Sequence, residues 1–274
     1  MSQISTLHRE TFRTGSKTYY NSSVFFPESV REDVYVLYGF VRTADNFVDR
    51  VPQDRAGFEA FRVRYSRALR GTGSGDHIID SFVELLRAKQ FEEEWVEAFL
   101  DSMELDLTKQ TYQRMQETLE YIYGSAEVIG LFMCRILGIG EEAYTFARLQ
   151  GRAMQYINFI RDVEEDHSLL GRTYLPLGGS GFNSLSRSQT LGRRREFAEF
   201  IRSQIARYSE WQSEAQKGYQ YIPKRYRVPI KTAADMYAWT ARRIYRDPFL
   251  IFESKVKPRK SRVLFRAHSN IILS

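Results

Sequence analysis

Apolar side chains recur along most of this chain at the spacing of an α-helix. In residues 28–50, ESVREDVYVLYGFVRTADNFVDR, the positions Val34, Leu37, Val41 and Phe47–Val48 return every three or four residues. That period places them on one helical face. Pro27 precedes the segment, and Glu28, Glu32 and Asp33 complement the dipole at its start. The same pattern predicts helices over 56–70, 78–90, 93–109, 114–137, 141–166, 187–217 and 220–246. GTGSGD (71–76) and PLGGSGFNSLSRSQ (176–189) interrupt it as loops. No segment of useful length alternates as a strand does, and neither a repeat nor a break in composition divides the chain. The expectation is an all-α protein, one domain over residues 1–274.

Composition narrows the function. The chain has 274 residues, 43% hydrophobic and 14% aromatic, enough for a large core and for an apolar cavity. Cys134 is the only cysteine, so neither a disulfide framework nor a cysteine metal cluster is available. Four scattered histidines (His8, His77, His167, His268) supply little for a histidine-based metal site. No apolar run is long enough to span a bilayer. The polar start, MSQISTLHRETFRTG, lacks a signal-peptide core, which implies a cytoplasmic protein. Forty Lys plus Arg against 34 Asp plus Glu give a net charge of +6. That excess suits solubility, an anionic ligand or an anionic membrane surface. Nucleic acid is not expected, because no recognition motif accompanies the charge.

Two stretches carry unusual chemistry. In Arg42-Thr-Ala-Asp45-Asn-Phe-Val-Asp49 the aspartates are four apart, so they share a helix face with Tyr38 and Arg42. Like charges at this spacing oppose the helix. Either the pair is a solvated edge balanced by Arg42 and Arg50, or a divalent cation bridges it. Mg²⁺ binds through carboxylates together with substrate phosphates. In Gln155-Tyr-Ile-Asn158-Phe-Ile-Arg161-Asp162-Val-Glu-Glu-Asp166, a polar row of Gln155, Asn158, Asp162 and Asp166 runs beside apolar Ile157, Ile160 and Val163. Two acidic helices, each with its own arginine, suit a cavity that holds diphosphates through bridging Mg²⁺. Arg42 and Arg161 offer guanidinium forks to phosphate oxygens. The matching chemistry is ionisation of an allylic diphosphate in an apolar, aromatic-lined pocket.

With these motifs in hand, the sequence resembles the squalene/phytoene synthase family from about residue 16 to about residue 260. SKTYYNSSVFFP (16–27) is similar to the family's flap-forming start, and YGFVRTADNFVD (38–49) to its first aspartate-rich motif. YIYGSAEVIG (121–130) resembles its Tyr/Gly/Ala helix. QYINFIRDVEED (155–166) with GRTYLP (171–176) resembles the second motif and trailing loop. The resemblance implies an all-α isoprenoid synthase bundle with a central cavity and Mg²⁺, or Mn²⁺ in its place, between the acidic helices. By position it implies that Asp45, Asp49, Asn158, Asp162 and Asp166 bind the metal and diphosphate. Arg42, Arg161 and Lys255 would contact phosphates. Tyr38, Tyr123, Gln155, Tyr174 and Tyr237 would line the reaction centre, with Tyr123 handling the proton or the cation. Glu127 departs from the pattern, standing where many members have a small residue.

Within the family, the expected activity is that of a phytoene synthase acting on prenyl diphosphates, specifically two geranylgeranyl diphosphates. Squalene or dehydrosqualene synthase, using farnesyl diphosphate, is the alternative, and NADPH enters only on the squalene synthase reading. A non-catalytic scaffold relative is disfavoured because every aspartate of both motifs is present. A di-iron bundle is excluded by the lack of paired ExxH motifs. Lys255, Lys257, Arg259, Lys260 and Arg262 beside Val263–Phe265 suggest peripheral membrane association.

Overall fold

A computed structural model describes residues 26–272. The stretch 16–25, most of the expected flap, lies outside the described residues. The chain is all-α, as its periodicity predicts, and an isolated parallel bridge between Thr111 and Thr173 is the only β pairing recorded among the described residues.

Helix α1 (Glu28–Asp49) buries Val30, Val34, Leu37, Phe40, Ala44 and Val48 along one face. Helix α2 (Arg55–Leu69) starts where the Asp54 carboxylate accepts from Gly57 N at 2.9 Å. Helix α3 (His77–Lys89) is capped by Asp76, which accepts from Ile78 N at 2.9 Å. Such caps satisfy amides that a helix start leaves unpaired. Helix α4 (Glu93–Leu105) completes this half. Phe40 stacks on Phe82 at 3.8 Å, and Phe61, Tyr65, Phe99 and Phe132 join them in a first core.

The second half is built around α7 (Tyr144–Arg161), which packs against α10 (Arg194–Gln216), α11 (Lys224–Arg246) and α6 (Val128–Leu137). Tyr156, Ile160, Ile201, Ile205 and Tyr237 belong to this second core. The end of α1 meets the loop after α8 (Val163–Leu170), where Arg172 bonds Asp49.

Three predicted boundaries are corrected. Segment 114–137 is not one helix: α5 (Met115–Ile122) passes through a π-turn (Tyr123–Glu127) into α6. Packing demands this turn be close to its neighbours. A Cβ at Gly124 would overlap the Ala98 carbonyl oxygen, and one at Gly151 on α7 would overlap that of Ala126. Segment 141–166 breaks at Asp162, whose φ of −99° and ψ of 13° leave the helical range between α7 and α8. Segment 187–217 breaks near Gly192 into a short α9 (Arg187–Leu191) and α10. A C-terminal helix, α12 (Lys260–Ile272), follows beyond the last predicted one. No helix among the described residues is long and apolar enough to cross a membrane.

Candidate active site

Helix α1 presents Tyr38, Arg42, Asp45 and Asp49 on successive turns. Arg42 ion-pairs with Asp45 on its own helix. Burial, and then the neighbouring charge of Asp49, push the Asp45 carboxyl up to about 7 against the pull of Arg42. Burial also pushes the Tyr38 hydroxyl up to about 12. The groups acting on it include Arg42, Asp45 and Tyr237, so α11 brings Tyr237 to this face.

The second acidic run faces the first. Asp166 on α8 has its carboxyl pushed well up, first by burial, then by the charges of Asp162 and of Asp49 across the site. Arg161 grips Asp162 as a fork, with Nε donating to Oδ1 at 2.8 Å. Asp162 sits at the break between α7 and α8, so the predicted polar row is not carried by one continuous helix. One turn earlier, the side-chain oxygen of Asn158 is buried and accepts no hydrogen bond. A dry acceptor of this kind needs a partner. Gln155, half-buried, lies one turn before it on α7.

Behind the aspartates, Arg172, Asp106 and Tyr121, none of them predicted from sequence, join Asp49 and Tyr174 in a buried network. Arg172, on the loop after α8, is 2% exposed and among the largest fully buried side chains. It donates from Nη1 to Asp49 Oδ1 at 2.8 Å and to Tyr174 Oη at 2.9 Å, and from Nη2 to the Val48 carbonyl. Asp106, at the end of α4, accepts from Tyr121 and Tyr174, each at 2.7 Å, and ion-pairs with Arg172 at 3.5 Å. Burial pushes Asp106 up to about 6, with Arg172 and the two hydroxyls holding it down. Tyr174 stacks on Phe159 at 4.4 Å and lies 5.0 Å from the Tyr121 ring. The signal for Arg172 lay in GRTYLP; nothing near Asp106 marked it.

The donor set fits a hard divalent cation. It consists of carboxylates and an amide oxygen, the ligands such an ion prefers. Asn158 offers an unsatisfied oxygen, and burial together with neighbouring carboxylates raises the Asp45 and Asp166 carboxyls. Among the described residues, no three Asp, Glu, His or Cys side chains converge closely enough to hold an ion alone. Further oxygens from water or a diphosphate suit Mg²⁺, which usually retains such ligands.

The profile of the squalene/phytoene synthase family matches residues 12–262. The chain belongs to the squalene/phytoene synthase family. The squalene/phytoene synthases are prenyltransferases. The chain is 26% identical to the 15-cis-phytoene synthase of Paracoccus sp. (strain N81106 / MBIC 01143), over 64% of this chain and 61% of that protein. It is 25% identical to the 15-cis-phytoene synthase of Pantoea ananas, over 83% of this chain and 78% of that protein. In fold it is similar to a crystal structure of a dehydrosqualene synthase in complex with ligand. The TM-score is 0.84 at 17% identity, covering 99% of this chain and 96% of that one.

The remaining expected site residues of this squalene/phytoene synthase family member fall in two places. Lys255 reaches the acidic centre: its amine bonds Glu165 and lies 3.8 Å from Asp162 Oδ1. Tyr123 opens the π-turn, and its ring faces the Arg148 guanidinium at 5.1 Å. Tyr121, two residues earlier, is the tyrosine of that segment bonded behind the aspartates. Glu127 is buried but compensated, accepting from Arg148 Nε at 2.8 Å and Arg152 Nε at 2.7 Å. The departure at Glu127 is thereby compensated, and it ties the π-turn to α7.

Proposed function

We propose that this chain is a phytoene synthase. It joins two geranylgeranyl diphosphates head to head, through a cyclopropylcarbinyl diphosphate, and closes the reaction by losing a proton. The observation that supports this most is the opposition of Asp49 and Asp166, from two separate acidic runs, beside the unsatisfied Asn158 oxygen.

On this reading Asp45, Asp49, Asn158, Asp162 and Asp166 hold Mg²⁺. When bound, the ion neutralises charge on the departing diphosphate. Arg42, Arg161 and Lys255 orient phosphate oxygens through charge-assisted hydrogen bonds. Tyr38, Gln155, Tyr174 and Tyr237 line the reacting centre, where aromatic faces favour a carbocation and exclude water. The Tyr123 hydroxyl oxygen or the released diphosphate accepts the final proton, so no reductant is consumed. The whole chain, 1–274, acts as one cytoplasmic synthase domain.

Asp45→Ala and Asp162→Ala test the roles of the acidic residues. Both are expected to abolish hydrocarbon formation while leaving the circular dichroism spectrum unchanged. EDTA is expected to silence the wild type, and added Mg²⁺ to restore it. Near-wild-type turnover in either variant would remove those residues from the site.

A further inference from the structure

A groove of about 890 Å³ lies beside the acidic centre, between α11, residues 254–259 and α12. Arg243, Lys257, Arg259 and Arg262 line it, together with Trp239 and Phe265, and no acidic side chain does. None of those four cations forms an ion pair with the described residues. The Arg262 guanidinium rests 5.0 Å from the Trp239 ring. Burial, and then the charges of Lys255 and Arg161, lower the Lys257 amine. Asp162 and Glu165 act on Lys257 in the opposite sense, so the described residues offset this wall of positive charge only in part.

Helix α12 is fastened by its other face. Arg266 Nε donates to Asp235 at 2.7 Å, Asn270 donates to Asp235 at 2.9 Å, and Val263 and Ala267 are buried. Val263 therefore leaves the apolar surface expected from sequence, and the Lys260 side chain lies outside the described set. Leu264 and Phe265 point outward, 59% and 73% exposed, with Arg262 beside them. Two large apolar side chains in water next to a row of cations fit an interface of acyl chains and anionic headgroups.

We propose that this groove and the outer face of α12 dock the chain on an anionic lipid bilayer. Lipid phosphates sit among Arg243, Lys257, Arg259 and Arg262, and Leu264 and Phe265 enter the acyl boundary. Lys255 reaches from the groove to Asp162, so the docked face adjoins the acidic centre. The inference rests on the synthase reading only for the lipidic nature of substrate and product.

The test is co-sedimentation of the full chain, without substrate, on two kinds of vesicle. One is phosphatidylcholine alone, and the other contains about a third phosphatidylglycerol. Binding is expected on the anionic vesicles, weakening as salt rises. Arg259→Glu with Arg262→Glu is expected to weaken it at least about tenfold, since each cation near an anionic surface adds a comparable share of attraction. Leu264→Ser with Phe265→Ser is expected to weaken binding without moving the thermal midpoint, because both side chains are already exposed. Arg259→Lys with Arg262→Lys keeps the charge and should retain binding.

Equal binding to both vesicles, or unchanged binding by both the Glu pair and the Ser pair, overturns the proposal. So does saturable binding of inorganic diphosphate that the Glu pair abolishes while vesicle preference is absent; the groove would then be a site for free anions. Because these assays contain no prenyl diphosphate, failure to dock leaves the synthase reading standing, and failure of turnover leaves the docking result standing.

Discussion

Arg172 and Asp49 lie 123 positions apart in the chain, and a 2.8 Å hydrogen bond joins them. The guanidinium also holds the carbonyl at the end of α1 and the ion pair to Asp106. One buried cation thus fixes where the first acidic run ends relative to the loop that follows the second.

Removing that cation should be costly. Arg172→Ala strands Asp106 and Asp49 beside each other with no positive partner at their backs, and loss of one member of a buried pair costs about 3–5 kcal/mol. Urea unfolding at neutral pH checks this. Arg172→Lys should recover part of the loss, because it restores charge without the fork. Alanine and wild type unfolding at the same midpoint would show that the network carries no stability.

The Glu127 cluster should respond asymmetrically. Glu127→Ala removes the buried charge and leaves two arginines, 43% and 21% exposed, that water can reach. Its cost is about 1.5–3 kcal/mol, the scale of a hydrogen bond to a charged group. Arg148→Ala with Arg152→Ala leaves the carboxylate buried alone and should cost more, about 3–5 kcal/mol. The reverse order in thermal or urea unfolding contradicts the pairing described.

Glu117 supplies a pH-dependent latch. Its carboxylate accepts from the amides of Arg114 at 2.8 Å and Gln113 at 2.9 Å. These bonds, with help from Lys109, hold it down to about 2. The folded value lies below the ordinary carboxylate value, so the stabilisation is full above the ordinary value and fades as pH falls toward about 2. Glu117→Gln should lower the thermal midpoint at pH 7 and match wild type near pH 2. A constant difference across that range would show that the carboxylate's charge is not involved.

Cys134 is buried, and burial pushes its thiol up to about 12. The thiolate is the reactive form. Iodoacetamide should leave the native chain unmodified at pH 8 and label it fully once it is unfolded, as read by intact mass. Fast labelling of the native protein would contradict its place in the core.

Helical periodicity makes the all-α fold legible in the sequence, because apolar positions repeat locally. Asp45 with Asp49, and Asn158 with Asp162, are equally legible, since a four-residue step needs no long-range information. Arg172 and Asp106 are not: their partnership spans 66 positions and depends on which loop returns to α4. The π-turn hides a second feature. Its wider turn shifts the register after Tyr123, so a wheel drawn over 114–137 misassigns the faces of the residues beyond it. The break at Asp162 is invisible for a similar reason. Nothing in IRDVEED marks an end, and the backbone departs from helix where Arg161 grips the Asp162 carboxylate from the neighbouring residue.

The central claim is tested most directly by incubating the purified chain with geranylgeranyl diphosphate and Mg²⁺, without reductant, and identifying the hydrocarbon formed. Phytoene, a C40 product, is expected, with Tyr123→Phe slowing its release from the cyclopropyl stage. A strict NADPH requirement, with a C30 product from farnesyl diphosphate and no C40 product, would contradict the phytoene synthase assignment.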